Sequence, residues 1–531
     1  MEAQKHHDIV EVLDKFGRYQ WAQYFWACLP SLVVTMVNIN FVFVAGDMDY
    51  RCKIPECETV DSTSQQPSWW PSATLDQCSK PLLSDDFYLQ KGPCSKASFT
   101  KETGRCTEWI YESNNTIVSE LNLACQPWKI NLVGTIHNIG MLFSMLICGW
   151  MSDRFGRKPT MIFCATACVI GHLKQFATSY YMYVTVEFFE AMVSGGVYLS
   201  TSVMLIELGS KQNRVFAGVL LACVIYCGES LFAGIAMLVP YWKNLIRIIN
   251  TPSVFFITYL FFFKESPRWL VVNGKAEEAK KMIENIADVN KIPINKQDLK
   301  EIDEEKLKLI FNITNYEVKE GYKDIFRSTE IMKRLAVSCF CRFTCGFVYY
   351  GLMFNSVLLP GNKHINFLLS TVMSFPGELM ALYLMNKVGR KLPLIVGYLL
   401  CGAMCVSSAY VTAIWGKIAM FLLGKMVISA CFTGIITYTM ELFPTSTRAS
   451  LLGFGSILSR TGAMLAPLTP MLMPIAQVLP SVFFGGSALI SGLLLILTPE
   501  TKDLPLLDTI EQVDTLARQT REMKKQSNKQ I

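Results

Sequence analysis

The stretch Gly149-Trp150-Met151-Ser152-Asp153-Arg154-Phe155-Gly156-Arg157-Lys158 lies between two long apolar runs, and a shortened copy, Asn386-Lys387-Val388-Gly389-Arg390-Lys391, does the same further on. Gly156 to Gly389 is 233 positions. Other marks keep that interval: Glu207 to Glu441 and Arg214 to Arg448 are each 234, and Glu265 of KESPRWL (264–270) to Glu500 of PETK (499–502) is 235. A nearly constant offset means a duplication. Each mark separates apolar runs, so the chain reads as two similar halves of membrane helices facing one another, the arrangement that places a solute site near the bilayer midplane.

Composition agrees. Charged residues make up 17% of the 531, against about 25% in a soluble domain, and the mean hydropathy is +0.31. Twelve apolar runs, numbered here as spans 1 to 12, lie near 22–45, 130–151, 160–178, 181–206, 215–239, 246–263, 334–358, 364–386, 392–413, 416–440, 451–474 and 477–497. Such runs can cross about 30 Å of hydrocarbon, and in lipid they must be helical because no water satisfies the backbone. An even count puts both termini on one side.

Basic residues choose that side. Arg154, Arg157, Lys158, Lys211, Arg214, Lys387, Arg390, Lys391 and Arg448 crowd the loops after spans 2, 4, 8 and 10, whereas Lys243, Lys363 and Lys417 are among the few in the alternate loops. The expected topology therefore has both termini in the cytoplasm of a multi-pass membrane protein. The first run starts at Trp21 and is too long for the core of a cleaved leader. The expected organisation is a cytosolic N-terminus (1–21), a first six-helix bundle (22–263) containing an outer loop (46–128), a cytosolic linker (264–333), a second six-helix bundle (334–497) and a cytosolic tail (498–531).

The outer loop holds six of the 18 cysteines: Cys52, Cys57, Cys78, Cys94, Cys106 and Cys125. An even number in an oxidising place reads as three disulfides, although six cysteines allow 15 connectivities and the sequence does not choose among them. Asn114, followed by Asn115 and Thr116, is a glycosylation acceptor in the same loop. A second sequon at Asn312 falls in the segment assigned to the cytosol. The linker and tail alternate charge at helical spacing, which fits short solvated helices.

The motif 149–158 resembles the signature between spans 2 and 3 of the major facilitator superfamily. The Cys-rich loop, KESPRWL, ELFPTSTR (441–448) and PETKDLPLLDTIEQV (499–513) narrow the resemblance to the organic cation, organic anion and carnitine transporters. It runs from Phe16 to the tail. The resemblance implies an all-α polytopic fold of two pseudo-symmetric six-helix bundles that rock around a central cavity.

The physical reading of the loop motifs stands beside it. Asp153, Arg154, Arg157, Glu207, Arg214, Glu441 and Arg448 lie at cytosolic helix ends, where carboxylates and guanidiniums pair and cap. Pairs that form in one state and separate in the other would make a conformational latch. The same cations also fix orientation.

Charges inside spans cost several kcal/mol and mark function by default. They are Lys174, Glu187, Glu190, Glu229, Arg342, Glu378, Lys425 and Arg460. By resemblance, Arg460 stands where cation-selective relatives carry an acid and anion and carnitine transporters an arginine, so its guanidinium is a candidate for a substrate carboxylate. Ser374 stands where the cation transporters commonly place a glutamate, and Glu378 follows one turn on. Glu378 is read either as facing an ammonium group or as neutralising Arg342 or Arg460. Glu229 is a second candidate acid, and Glu187 a partner for Lys425. Tyr198, Tyr349 and Tyr350 match aromatic cavity positions of the family, where ring faces attract organic cations.

No phosphate-binding glycine loop, metal-ligand spacing or nucleophile motif is seen, so neither an enzyme nor an ATP-driven pump is expected, and no metal or cofactor is called for. The net charge of +6 is explained by cytosolic loops and requires no nucleic acid. The expected function is alternating-access transport of small organic ions, with a carnitine-like zwitterion or an organic cation as substrate. Coupling to Na⁺ or H⁺ stays open, as does the oligomeric state. The alternatives are an organic anion transporter or exchanger, and a solute sensor of the same fold that binds without transport.

Overall fold

A computed structural model describes residues 15–58, 65, 67–71, 77–84, 93–209, 214–294, 296–311, 322–444, 447–502 and 509–519. Among them, ten helical segments are long and apolar enough to cross a membrane: Arg18–Val44, Pro127–Phe155, Tyr180–Leu208, Phe216–Leu238, Trp242–Phe262, Thr329–Leu358, Lys363–Lys387, Lys391–Tyr410, Ile414–Leu442 and Ser450–Leu472. They correspond to spans 1, 2, 4 to 8 and 9 to 11. Span 12, Leu479–Leu495, is apolar but only 17 residues long. Span 3 is the helix Arg157–Ala167 continued by a tighter 3-10 stretch, Cys168–Phe176, in which Lys174 interrupts the apolar run.

Helix ends and breaks follow local chemistry. Ser179 and Ser328 cap spans 4 and 7 by accepting from Met182 N and Ile331 N, and Asn362 caps span 8 through His364 N and Ile365 N. Span 8 is two helices, Lys363–Val372 and Ser374–Lys387. Pro376 lacks the N–H that would reach Val372 and its ring crowds that carbonyl, so the break falls between them. Large apolar side chains such as Phe261, Trp415 and Leu238 are exposed by more than four fifths, as lipid-facing surface requires.

Two hydrophobic cores result. One gathers spans 1 to 6 with Met353, Phe354, Phe367 and Ala466 from later spans, and the other gathers spans 7 to 12 with Tyr226 from span 5. Those few residues stitch the halves together.

Outside the spans, the strand Tyr50–Cys52 pairs antiparallel with Trp109–Tyr111, and Ser79–Leu83 with Phe99–Arg105. Three disulfides, Cys52–Cys106, Cys57–Cys94 and Cys78–Cys125, join this loop, a choice among the 15 connectivities that spacing left open. Arg51 pairs with Glu58 and lies over the Trp69 and Trp70 rings at 5.5 and 5.4 Å. Asn114 is exposed; Asn312 lies outside the described residues. The linker is more than a tether: its helix Ala276–Asn290 buries Ala279, Ile283, Ile286 and Ala287 in the first core, and Asn290 accepts from Tyr19 N (2.9 Å) at the inner end of span 1. The tail docks on the second half, where Ser328 donates to Asp514 at 2.7 Å.

Candidate functional site

The break in span 8 sets Glu378 deep between the halves. It is completely buried. Its Oε2 accepts from Thr433 Oγ1 of span 10 at 2.8 Å and from Tyr226 OH of span 5 at 3.3 Å, the latter across the interface between halves. Its Oε1 has no hydrogen-bond partner among the described residues.

One layer outward, Glu229 follows Tyr226 by three residues on the same face of span 5. It too is buried, with Oε2 unpartnered among the described residues. The charge acting on it comes from Lys425 of span 10, in the other half. Lys425 donates to the Tyr349 carbonyl at 3.2 Å, and its ammonium stands 3.1 Å from the centre of the Tyr349 ring. Thr433 lies about 12 Å further in than Lys425, at ~1.5 Å per residue. Ser429 Oγ donates to Ser374 Oγ at 3.1 Å between the two layers. Two carboxylates and one ammonium thus stack along the interface.

The flanks are aromatic and cationic. Arg460 is half-buried and reaches Tyr350 OH by a long contact of 3.5 Å. Tyr350 meets Tyr349 edge to face at 5.2 Å. From the first half, Tyr198 donates to Thr35 Oγ1 at 2.8 Å and lies within electrostatic reach of Tyr350 and Glu229.

These contacts correct three pairings. Glu378 does not neutralise Arg342 or Arg460: its partners are hydroxyls, because the span 8 break turns it toward span 5. Arg342 donates to Ser456 Oγ at 3.0 Å. Glu187 does not reach Lys425; it pairs with Lys174 and His137 inside the first half. Arg460, Glu378, Glu229, Tyr198, Tyr349, Tyr350 and Ser374 do converge on one interface. Sequence reasoning missed Tyr226 and Thr433, although the three-residue spacing of Tyr226 and Glu229 was readable.

At the inner ends, Arg157 donates to Asp153 Oδ1 (2.6 Å), Glu207 Oε1 (3.1 Å) and the Ser152 carbonyl (2.7 Å). In the second half Arg390 donates to Glu441 Oε1 at 3.1 Å and to the Met385 carbonyl. Each cluster closes within its own half. Arg390 is thus the partner of Glu441, and Arg448 donates to the Phe443 carbonyl at 3.1 Å. Arg154 lies 5.6 Å from the Trp150 ring, and the side chain of Arg214 is outside the described residues. Glu265 and Glu500, read only as marks of the repeat, belong to these clusters through backbone contacts.

Hydrogen bonds between the halves run higher up, between the Ser230 and Thr371 hydroxyls (3.0 Å) and from Thr135 Oγ1 to the Met464 carbonyl (3.0 Å). Above them a cavity of about 600 Å³, lined by Asp47, Gly134, Lys417 and Pro467 among others, opens beside spans 1, 2, 7, 10 and 11. Phe41 and Phe354, 5.1 Å apart, are also among its lining residues.

A sequence profile of the family described as Sugar (and other) transporter matches residues 94–513. The chain is 29% identical over 521 residues to the Organic cation transporter protein of Drosophila melanogaster, covering 95% of this chain and 93% of that one. It is 27% identical over 553 residues to Solute carrier family 22 member 1 of Oryctolagus cuniculus, covering 97% and 96%. Among solved structures it is similar to the MFS (major facilitator superfamily) proton:xylose symporter XylE, with a TM-score of 0.54, 16% identity and coverage of 95% and 98%. At that identity the likeness is one of fold, the major facilitator fold of a multi-pass membrane protein.

Proposed function

The chain belongs to the Sugar (and other) transporter family, and from that premise we propose that it carries small organic cations, or zwitterions bearing an ammonium group, across the plasma membrane with both termini in the cytoplasm. Glu378 carries this reading. A buried carboxylate with one open oxygen, bonded by the other to a tyrosine of the opposite half, attracts a cation and also senses the separation of the halves. Glu229 offers a second open oxygen, and the rings of Tyr198 and Tyr350 supply faces for alkylated ammonium. The names of the relatives, organic cation transporters, point the same way.

Arg460 extends the reading to zwitterions. Its guanidinium, met by one long contact to Tyr350, suits a carboxylate held in bidentate fashion, as a carnitine-like substrate would present. An anion without an ammonium would have to sit beside two buried carboxylates, which disfavours the anion-only alternative. Asp153, Arg157 and Glu207, with Arg390 and Glu441, brace the inner end of each half, so that the halves rock as units around the site.

The test is uptake of labelled tetraethylammonium, carnitine and p-aminohippurate by cells expressing the chain, each with and without Na⁺. Entry of the first two and not the third is expected. Uptake of p-aminohippurate alone would overturn the substrate class, and binding without flux would leave a sensor.

A further inference from the structure

Four ionisable side chains meet inside the first half, apart from the residues assigned to substrate. Lys174 of span 3 donates to Glu187 Oε2 at 2.9 Å and to Glu190 Oε2 in a shorter contact, and Glu187 Oε1 lies 2.7 Å from His137 Nδ1 of span 2. Lys174, Glu187 and Glu190 have no exposed surface, and His137 is buried. The side-chain amide of Asn250 of span 6 lies 3.1 Å from Glu190 Oε1 and 3.2 Å from the Cys168 carbonyl. The space is made for the carboxylate: a Cβ on Gly171 would overlap Glu190 Oε1. The remaining neighbours are the Tyr183 ring, 5.9 Å from Lys174 Nζ, with Tyr180 behind it, and the Cys168 thiol beside Glu190. Phe41 of span 1 lies 5.2 Å from the His137 ring.

Charge counting distinguishes this cluster from a simple ion pair. Two carboxylates and one ammonium leave one negative charge in a region where an uncompensated charge costs several kcal/mol. One further proton makes the set neutral, and the imidazole in contact with Glu187 has a second ring nitrogen to share in holding it. Lys174 already stands between the two carboxylates, where a metal cation would have to bind, so the ligand that fits is a proton. Access is short as well. His137 lies one turn below Gly134, which lines the outer cavity together with Phe41. Phe41 also packs on Phe354 of the second half.

We propose that His137, Glu187, Lys174 and Glu190 form a proton-binding site that takes one proton from the outer side, and that its occupancy is coupled through Phe41 to closure of the two halves. The proton belongs to the set and not to one residue. The coupling rests on the carrier reading; the proton site does not.

Two measurements test it on the full chain. Purified wild type and Glu190→Gln, matched for monodispersity, are titrated with an indicator dye between about pH 8.5 and 5.5. Glu190→Gln, neutral without the extra proton, is expected to take up one proton fewer, and equal uptake overturns the site. Should Glu190→Gln not fold, Glu187→Gln, which likewise leaves one carboxylate and one ammonium, must show the same deficit, and no deficit overturns it equally. In proteoliposomes, wild-type tetraethylammonium uptake is expected to follow a one-proton pH curve that Glu190→Gln flattens. Identical curves would overturn the coupling. A proton deficit without tetraethylammonium flux at any pH supports the site and counts against the substrate reading alone.

Discussion

Glu265 and Glu500 hold the same helix end in the two halves of the chain. The carboxylate of Glu265 accepts from Arg157 N (3.1 Å) and Lys158 N (3.2 Å), and that of Glu500 from Arg390 N (2.9 Å) and Lys391 N (3.0 Å). Each receives N–H groups that a helix start leaves without partners, at the positive end of its dipole. The lysine repeats too: Lys158 Nζ donates to the Leu260 carbonyl at 2.9 Å and Lys391 Nζ to that of Ile496 at 3.0 Å. The duplication thus preserves a three-dimensional brace and not only a spelling.

The glycine before each helix makes room for the brace. Gly156 and Gly389 have φ of +116° and +132°. A Cβ on Gly156 would collide with Glu265 Oε2, whereas one on Gly389 would stand 3.0 Å from Glu500 Oε2. Gly156→Ala is therefore expected to cost about 1–3 kcal/mol, and Gly389→Ala less. The melting temperatures of the purified variants check this, and a larger shift for Gly389→Ala would contradict it.

The two braces respond oppositely to pH. Burial pushes the Glu265 carboxyl above the ordinary carboxylate range, against the N–H groups of Ser266, Lys158 and Arg157. At Glu500 burial acts in the same direction, but the N–H groups of Arg390, Lys391, Lys502 and Thr501 outweigh it and hold the carboxyl below that range. For Glu265 the folded state binds its proton more tightly, so its stabilisation is present at low pH and declines as pH rises through the raised value. For Glu500 stabilisation is present above the ordinary value and is lost as pH falls through the depressed one. Between about pH 7 and 5, wild type should gain stability over Glu265→Gln while its margin over Glu500→Gln stays constant. Thermal melts across pH measure both margins, and a pH-independent gap for Glu265→Gln would refute the assignment.

Glu378→Gln removes the charge and keeps the shape, so Thr433 and Tyr226 can still be accommodated. Tetraethylammonium uptake should fall about tenfold or more, the worth of a desolvated charge–charge contact of at least ~1.4 kcal/mol. Surface biotinylation should be unchanged. Wild-type uptake by this variant would remove Glu378 from the substrate site.

Arg460→Ala should separate the two substrate types. Carnitine uptake is expected to be lost, because a buried carboxylate without its bidentate partner costs several kcal/mol, while tetraethylammonium uptake stays within about threefold, as an indirect packing change would allow. Equal loss of both would assign Arg460 to packing beside Tyr350.

Much of the fold was legible because its signals are local. Apolar length, the interval between Gly156 and Gly389, and basic loops can be read along the chain without knowing how any helix is rotated. Even so, span 3 ends in a 3-10 stretch and span 12 is short, since run length does not report helix pitch. The members of the site were legible as charges that lipid would reject, and Glu229, Glu378, Lys425 and Arg460 were singled out on that ground.

What their neighbours are was decided in three dimensions. Glu187 meets Lys174 and His137, not Lys425; Glu378 meets two hydroxyls, not an arginine; and Glu441 finds its partner in Arg390. Helix rotation about its own axis, and the break imposed by Pro376, turn a side chain by tens of degrees without altering the apolar run that carries it. The sequence by itself determined which residues must find partners inside the membrane, because solvation acts on each residue alone. Only the packing of twelve spans decided which partners they found, because pairing depends on distances between segments that the chain order does not constrain.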